Sequence, residues 1–296
     1  MATTAAVFPA SDELGKILVG PDSVVWQRVS DARLDLAMLY ALLLQVAHPT
    51  VGAGVREYSE FEREPWSRLL RTIDWVTLLV YGGADAVPAG RRLRELHKRF
   101  KGVRADGRPY HALEPDAYAW VHATLIEACV AGHAQFGSPM RGAELERFYR
   151  EYRGLGRLAG VRERDLPETW SGFREYFDAM AAERLVWTEA VDQVMRAVGR
   201  FPPPPLGIAR PFWTLIKLPA SAAVRLGGVG LITSELRARL GLRWTPLDDA
   251  AFHALGAFTR GLGPVLPQRL KVTGPAQLEL RRPAIARGPL GDGASE

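Results

Sequence analysis

Arg68, Arg71 and Thr72 stand at i, i+3 and i+4 in the run WSRLLRTIDWVTLLVY, so a helix there presents two guanidinium groups and a hydroxyl on one face. Arg94, His97 and Lys101 repeat that spacing on the next expected helix. Polar residues at helical spacing inside apolar sequence are costly in a core unless something there needs them. Two such faces, turned toward each other across a short connection, make a cationic pocket with one imidazole in it, a seat for an anionic cofactor. Two cations beside His97 favour its neutral form, the state that ligates a metal. The plainer alternatives are a surface histidine on a basic helix, and Arg68 and Arg71 pairing with Glu62 or Glu64 in ion pairs of little worth.

Other routes to chemistry close one by one. There is no His-Glu-x-x-His motif, no cysteine pair, no repeated Glu-x-x-His, no Gly-x-Ser-x-Gly and no phosphate-binding glycine loop. GGVGL at 227–231 lacks the dinucleotide spacing. His48 suits a helix C-terminus, His111 lies in a loop, His122 and His133 sit three turns apart on one helix, and His253 has no evident partner. One histidine among several cations in an all-helical chain matches haem, an apolar macrocycle with two carboxylates and an axial imidazole.

The elements that must position these residues are helices, because no stretch shows sustained period-two alternation. A flexible N-terminal arm, 1–20, precedes a helix capped by Asp22 or Ser23. Asp35 to Ala47 reads as a helix buried on all sides and ended by His48-Pro49. The helix carrying Arg68 runs from Glu64-Pro65 to Gly82-Gly83, and the helix carrying His97 runs from Ala89 to about Gly102. A loop, VRADGRPYHALEP, leads to a long helix from Pro115 to the glycine at 137. Helices follow at about 142–159, 172–199 and 246–262, with a stiff proline run at 201–205 between the last two. The apolar segment Phe212 to Ile232 suits either a membrane surface or, more plainly, a helix lying over the core. A flexible tail is expected over 268–296, leaving 21–267 as one helical domain.

Bulk properties narrow the partners. With 47% hydrophobic and 24% charged residues in 296, the chain has the composition of an ordinary globular protein. A net charge of +5, with no basic stripe interleaved with aromatics, speaks against nucleic acid. The single Cys129 excludes an intrachain disulfide and fits a reducing compartment. The first residues lack a secretory signal and the longest apolar run, Leu36 to Ala47, is too short to span a bilayer, so a cytoplasmic location and no transmembrane segment are expected.

The ordered motifs HPTVGAGVREYSEF, EPWSRLLRTIDWVTLLVYG, His97 followed by KGV, and GRPYHALEPDAYAWVHATL resemble the haem-containing oxygenase family that includes the latex clearing proteins and the fungal oxygenase of mycophenolic acid biosynthesis. The resemblance covers about residues 25–260. It implies an all-α, single-domain bundle with a globin-like core, binding haem b through His97 as proximal ligand. Arg68 and Thr72 resemble the family's distal arginine and threonine, and Arg71 replaces a lysine that can serve as a removable sixth ligand. An open distal site, or one closed by water or another residue, follows from that replacement. Arg94 and Lys101 keep the two cations flanking the histidine. The acid/base glutamate of the rubber-cleaving members has no counterpart, since the matching place reads Gly52-Ala53-Gly54 and Glu57 and Glu60 fall off register.

The function implied is oxygenation or oxidation of a small hydrophobic substrate by O2, with Arg68, Arg71 and Thr72 stabilising the charge that develops. Trp66, Trp75 and Trp120 either shape the substrate cavity or are plain core. The alternatives are a haem-binding sensor or carrier without turnover, and a haem-free helical scaffold.

Overall fold

The structure, a computed structural model, describes residues 8–9, 12–58, 65–203, 210–265, 267 and 272–288. It is all-α. Among the described residues the one sheet is a two-stranded antiparallel hairpin. The helices are α1 (Leu14–Ile17), α2 (Val24–Val29), α3 (Met38–Ala47), α4 (Pro49–Tyr58), α5 (Pro65–Tyr81) and α6 (Ala86–His97). They continue as α7 (Pro115–Phe136), α8 (Gly142–Ala159), α9 (Trp170–Glu183), α10 (Glu189–Arg200), α11 (Arg210–Gly230), α12 (Ser234–Arg239), α13 (Pro246–Leu262) and a last helix, α14 (Gly274–Arg287).

Two helices with apolar residues on every side form the centre, as expected of buried helices. Helix α3 buries Leu39, Leu43, Leu44 and Val46, and α7 buries Trp120, Ala123, Ile126 and Phe136. They pack on each other, and the Trp120 indole donates to the Leu44 carbonyl at 2.9 Å. Trp120 is therefore core. Proline cannot supply a helical N–H at position 49, and the chain bends by 101° between the segment 32–47 and α4. The last α3 carbonyls, left without helical donors, accept instead from the Val186 N–H at 3.0 Å and the Thr188 hydroxyl at 2.7 Å.

Those two bonds explain why the single helix expected over 172–199 is broken. Residues 184–188 leave the helical path to serve the end of α3, so α9 and α10 are separate. The expected loop VRADGRPYHALEP contains strands β1 (Lys101–Val103) and β2 (Pro109–His111), with Lys101 opposite His111. Its turn is set locally: Asp106 accepts from the Arg108 N–H at 3.1 Å, and Gly107 takes φ +79°.

The ends of the chain also differ from the sequence reading. Within the expected N-terminal arm, Leu14–Ile17 forms a helical turn and Ile17 is buried. Within the expected C-terminal tail, α14 packs along α5, where Arg281 donates twice at 2.8 Å to the buried carboxylate of Asp74. A carboxylate taken out of water needs such a partner, and the tail supplies it. No single described helix is long and apolar enough to cross a membrane.

Candidate functional site

Helix α6 is fixed before it reaches its functional residue. At Gly90 a methyl group would fall 1.8 Å from the Leu158 carbonyl oxygen, so α6 and α8 approach to a distance that only glycine permits. Seven residues on, α6 ends at His97, whose Nδ1 lies 2.7 Å from the Leu93 carbonyl oxygen. A carbonyl only accepts, so Nδ1 carries a proton, and the neutral form of a ring bonded in this way has its lone pair on Nε2. That tautomer is the one in which a histidine ligates iron through Nε2, with the second nitrogen held by a backbone carbonyl.

The ring of His97, half-buried, stands edge-on to Phe100 and to Tyr118, with centroids 5.4 and 5.9 Å apart. Tyr118 is the piece that organises this corner. Its ring also carries the Arg94 guanidinium, 5.7 Å from the centroid, and its hydroxyl donates to the Ala159 carbonyl at 2.8 Å. Burial pushes the Tyr118 phenol up to about 12, so it stays a donor at neutral pH. Arg94 reaches the Gly160 carbonyl at 3.4 Å. In the sequence Tyr118 falls within the run GRPYHALEPDAYAWVHATL with nothing to mark a role for it. Its position one helical turn inside α7 carries no signal of what lies across from it.

A small cleft of about 50 Å³ opens beside Arg94 and Tyr118, lined also by Arg162 and Asp165, and His97 does not line it. It is far smaller than the roughly 300–1,000 Å³ of pockets that enclose drug-sized ligands.

The remaining predicted residues fall as follows. Lys101 does not share the α6 face: the helix stops at His97, and Lys101 opens β1, exposed, with its carbonyl accepting from the Tyr58 hydroxyl at 2.8 Å. The expected pair of cations beside His97 is thus Arg94 alone on that helix. Arg71 is exposed on α5 and Thr72 is half-buried. Arg68 belongs to α5 by its backbone, and its side chain lies outside the described residues. So do Glu60, Glu62 and Glu64, the last two being the proposed ion-pair partners of the arginines. Trp66 donates from its indole to the Pro202 carbonyl at 2.8 Å and stacks edge-on to Phe201 at 4.6 Å. Trp75 is half-buried against the main core.

His111, His122, His133 and His253 bond within the fold. His122 donates through Nε2 to the Tyr152 carbonyl at 2.9 Å and abuts Gly156, while His133 does the same to the Arg28 carbonyl at 2.9 Å. Burial pulls His48 and His122 down to about 4, so both are neutral at physiological pH. His111 accepts from the Leu113 N–H at 3.0 Å, and exposed His253 bonds the Asp249 carbonyl at 2.8 Å. Glu57 accepts from the Tyr110 hydroxyl at 2.7 Å and lies flat over Gly102, which ties it to the hairpin. Among the described residues no three His, Cys, Asp or Glu side chains converge as a metal cage.

No curated protein and no solved structure matches the chain. A family model described as the catalytic domain of ER-bound oxygenase mpaB/B' and rubber oxygenase matches residues 26–261. That stretch runs from α2 to the end of α13 and includes both α5 and α6. The chain therefore belongs to the mpaB/rubber oxygenase catalytic-domain family.

Proposed function

We propose that this oxygenase-family domain is a haem b-dependent oxygenase that uses O2 on a small hydrophobic substrate, with His97 as the proximal ligand. The observation that carries the reading is the 2.7 Å bond from His97 Nδ1 to the Leu93 carbonyl, the arrangement in which a neutral imidazole ligates through Nε2. The family supplies the coarse class, an oxygenase acting on a substrate with dioxygen. The residues fit the cofactor in donor chemistry: an imidazole whose Nδ1 is held by a backbone carbonyl, and one arginine, Arg94, on the Tyr118 ring that the imidazole also meets, for a propionate. Lys101, exposed on β1, is left for the rim.

When bound, haem supplies an iron centre at which dioxygen is activated. The chain's own contribution begins at Leu93, whose carbonyl raises the electron-donating power of His97 through the bonded N–H. Tyr118 and Phe100 restrain the imidazole plane, and Arg94 sets positive charge on the Tyr118 ring. Arg68, Arg71 and Thr72, at i, i+3 and i+4 on α5, are the proposed oxygen-side donors. A cytoplasmic location is part of the proposal.

A second reading, binding without turnover, draws on Glu57, whose carboxylate accepts from the Tyr110 hydroxyl and is thereby tied to the hairpin. The test is incubation of the haem-loaded protein with apolar lipids or isoprenoids under isotopically labelled dioxygen. Label in the product supports the oxygenase. Stoichiometric haem with no labelled product supports the sensor or carrier, and a protein that takes up no haem supports the scaffold.

A further inference from the structure

Helix α6 carries different chemistry on its two sides. Gly90, Leu93 and His97, at i, i+3 and i+7, form the inner side, which packs on α8 at Gly90 and holds the imidazole. Arg91, Glu95 and Lys98, at i, i+4 and i+7, form the outer side, with Arg92 and Arg99 beside them. Arg91, Lys98 and Arg99 are exposed and Arg92 is half-buried. Glu95 is the one acid on this stripe and takes Lys98 at 2.6 Å, while the Arg91 guanidinium lies over the Phe8 ring, 5.7 Å from its centroid. The imbalance is regional. From Ala86 to His111 the chain has eight Lys and Arg against two acids, more positive charge than the +5 of the whole molecule, so the remainder is slightly negative.

One sign of charge gathered on one helix face steers a partner of the opposite sign. The rest of the stripe narrows the kind of partner. No aromatic alternates with the cations from Arg91 to Arg99, as stacking on unpaired bases requires. No large apolar side chain of α6 is exposed, so nothing there enters the acyl boundary of a bilayer. An acidic protein face needs neither. His97, on the inner side of the same helix, gives such a protein a task, because a partner on the outer side stands about one helix diameter, roughly 10 Å, from the imidazole. We propose that the outer face of α6 docks an acidic one-electron carrier protein that reduces the haem held by His97 across the helix. This rests on the reading of His97 as the iron ligand. The reduced carrier loses one electron and ferric haem iron becomes ferrous, with no bond made or broken. Electron-transfer encounters are small and weak, and a single charged stripe matches their scale.

The test is titration of the full chain, haem-free and haem-loaded, with an acidic [2Fe–2S] ferredoxin and separately with an acidic flavodoxin. Binding is read by calorimetry at low and high salt, and haem reduction by stopped-flow absorbance. Binding to at least one carrier, with or without haem, should weaken steeply as salt rises. Arg91→Glu with Arg99→Glu should weaken it about tenfold or more and slow reduction by the carrier, while dithionite reduces variant and wild type alike. Arg91→Gln with Arg99→Gln, a milder change, should give a smaller loss in the same direction. Arg141→Glu with Arg243→Glu, the same charge change at exposed positions elsewhere, should leave binding within about twofold. The proposal is overturned if neither carrier binds, or if the Arg141 and Arg243 changes cost as much as those at Arg91 and Arg99. It is equally overturned if phosphatidylserine vesicles, and neither carrier, bind wild type and lose the Arg91 and Arg99 variant. Carrier binding and haem reduction without labelled product contradict the oxygenase alone. Labelled product formed with a chemical reductant, but no carrier binding, contradicts this proposal alone, and a protein that takes up no haem contradicts both.

Discussion

A single hydrogen bond does more than any charge to define His97. The Leu93 carbonyl fixes which nitrogen holds the proton, and Tyr118 fixes where the ring lies. Tyr118 in turn depends on its bond to Ala159 at the end of α8. Changing Tyr118→Phe keeps the ring and the Arg94 contact but leaves the Ala159 carbonyl unserved. The expected cost is about 1 kcal/mol of stability, measured by urea unfolding, with haem uptake retained. A loss of haem uptake in that variant would mean the hydroxyl itself holds the cofactor. At this scale the sequence was informative about residue type and silent about partners. His97 and Arg94 stood out from their spacing, whereas Lys101 belonged to a strand begun by the turn after His97, which helical spacing cannot foresee. Tyr118 looked like any other aromatic in an apolar helix.

At the scale of elements, α6 is positioned by contact with α8 and hardly by its own sequence. Gly90→Ala would place a methyl into the Leu158 carbonyl and lift α6 away. The expected loss is about 2 kcal/mol, overpacking outweighing the better helix propensity of alanine. Gly154 in α8 is a matched control, since a methyl there meets nothing within 4 Å. Gly154→Ala should raise stability by up to about 1 kcal/mol. Thermal melts of the two variants therefore move in opposite directions. Helices that begin with a cap or proline and end at glycine were readable, as α5 and α13 show. The break between α9 and α10 was not, because the reason for it lies in the carbonyls at the end of α3. The three-pair hairpin is too short for a periodic signal, and α14 is stabilised by a carboxylate two hundred positions earlier in the chain, Asp74.

For the whole molecule, the buried titratable groups set how stability responds to acid. His48 and His122 are held at about 4 in the fold, below their ordinary 6.5, by burial. A depressed value means the unfolded chain takes the protons first, so both contribute stability above 6.5 that is lost as pH falls towards 4. Glu127, buried in α7, acts the other way: burial, only partly offset by Arg174, lifts it from 4.5 to about 7. The fold then binds its proton first, and its contribution, present below 4.5, is lost as pH rises through 7. Between pH 6.5 and 4.5 the histidines and Glu127 therefore oppose one another. Glu127→Gln should lower overall stability and steepen its loss in that window, measured by unfolding at a series of pH values. An unchanged slope would show that Glu127 is already ionised in the fold.

The central claim is that the imidazole of His97 ligates haem iron through Nε2, and an absorption spectrum tests it most directly. The protein purified from cells supplied with haem precursor should show a Soret band, and His97→Ala, equally well folded, should lose it or return it only when imidazole is added. A Soret band of the same position and strength in His97→Ala would contradict the account.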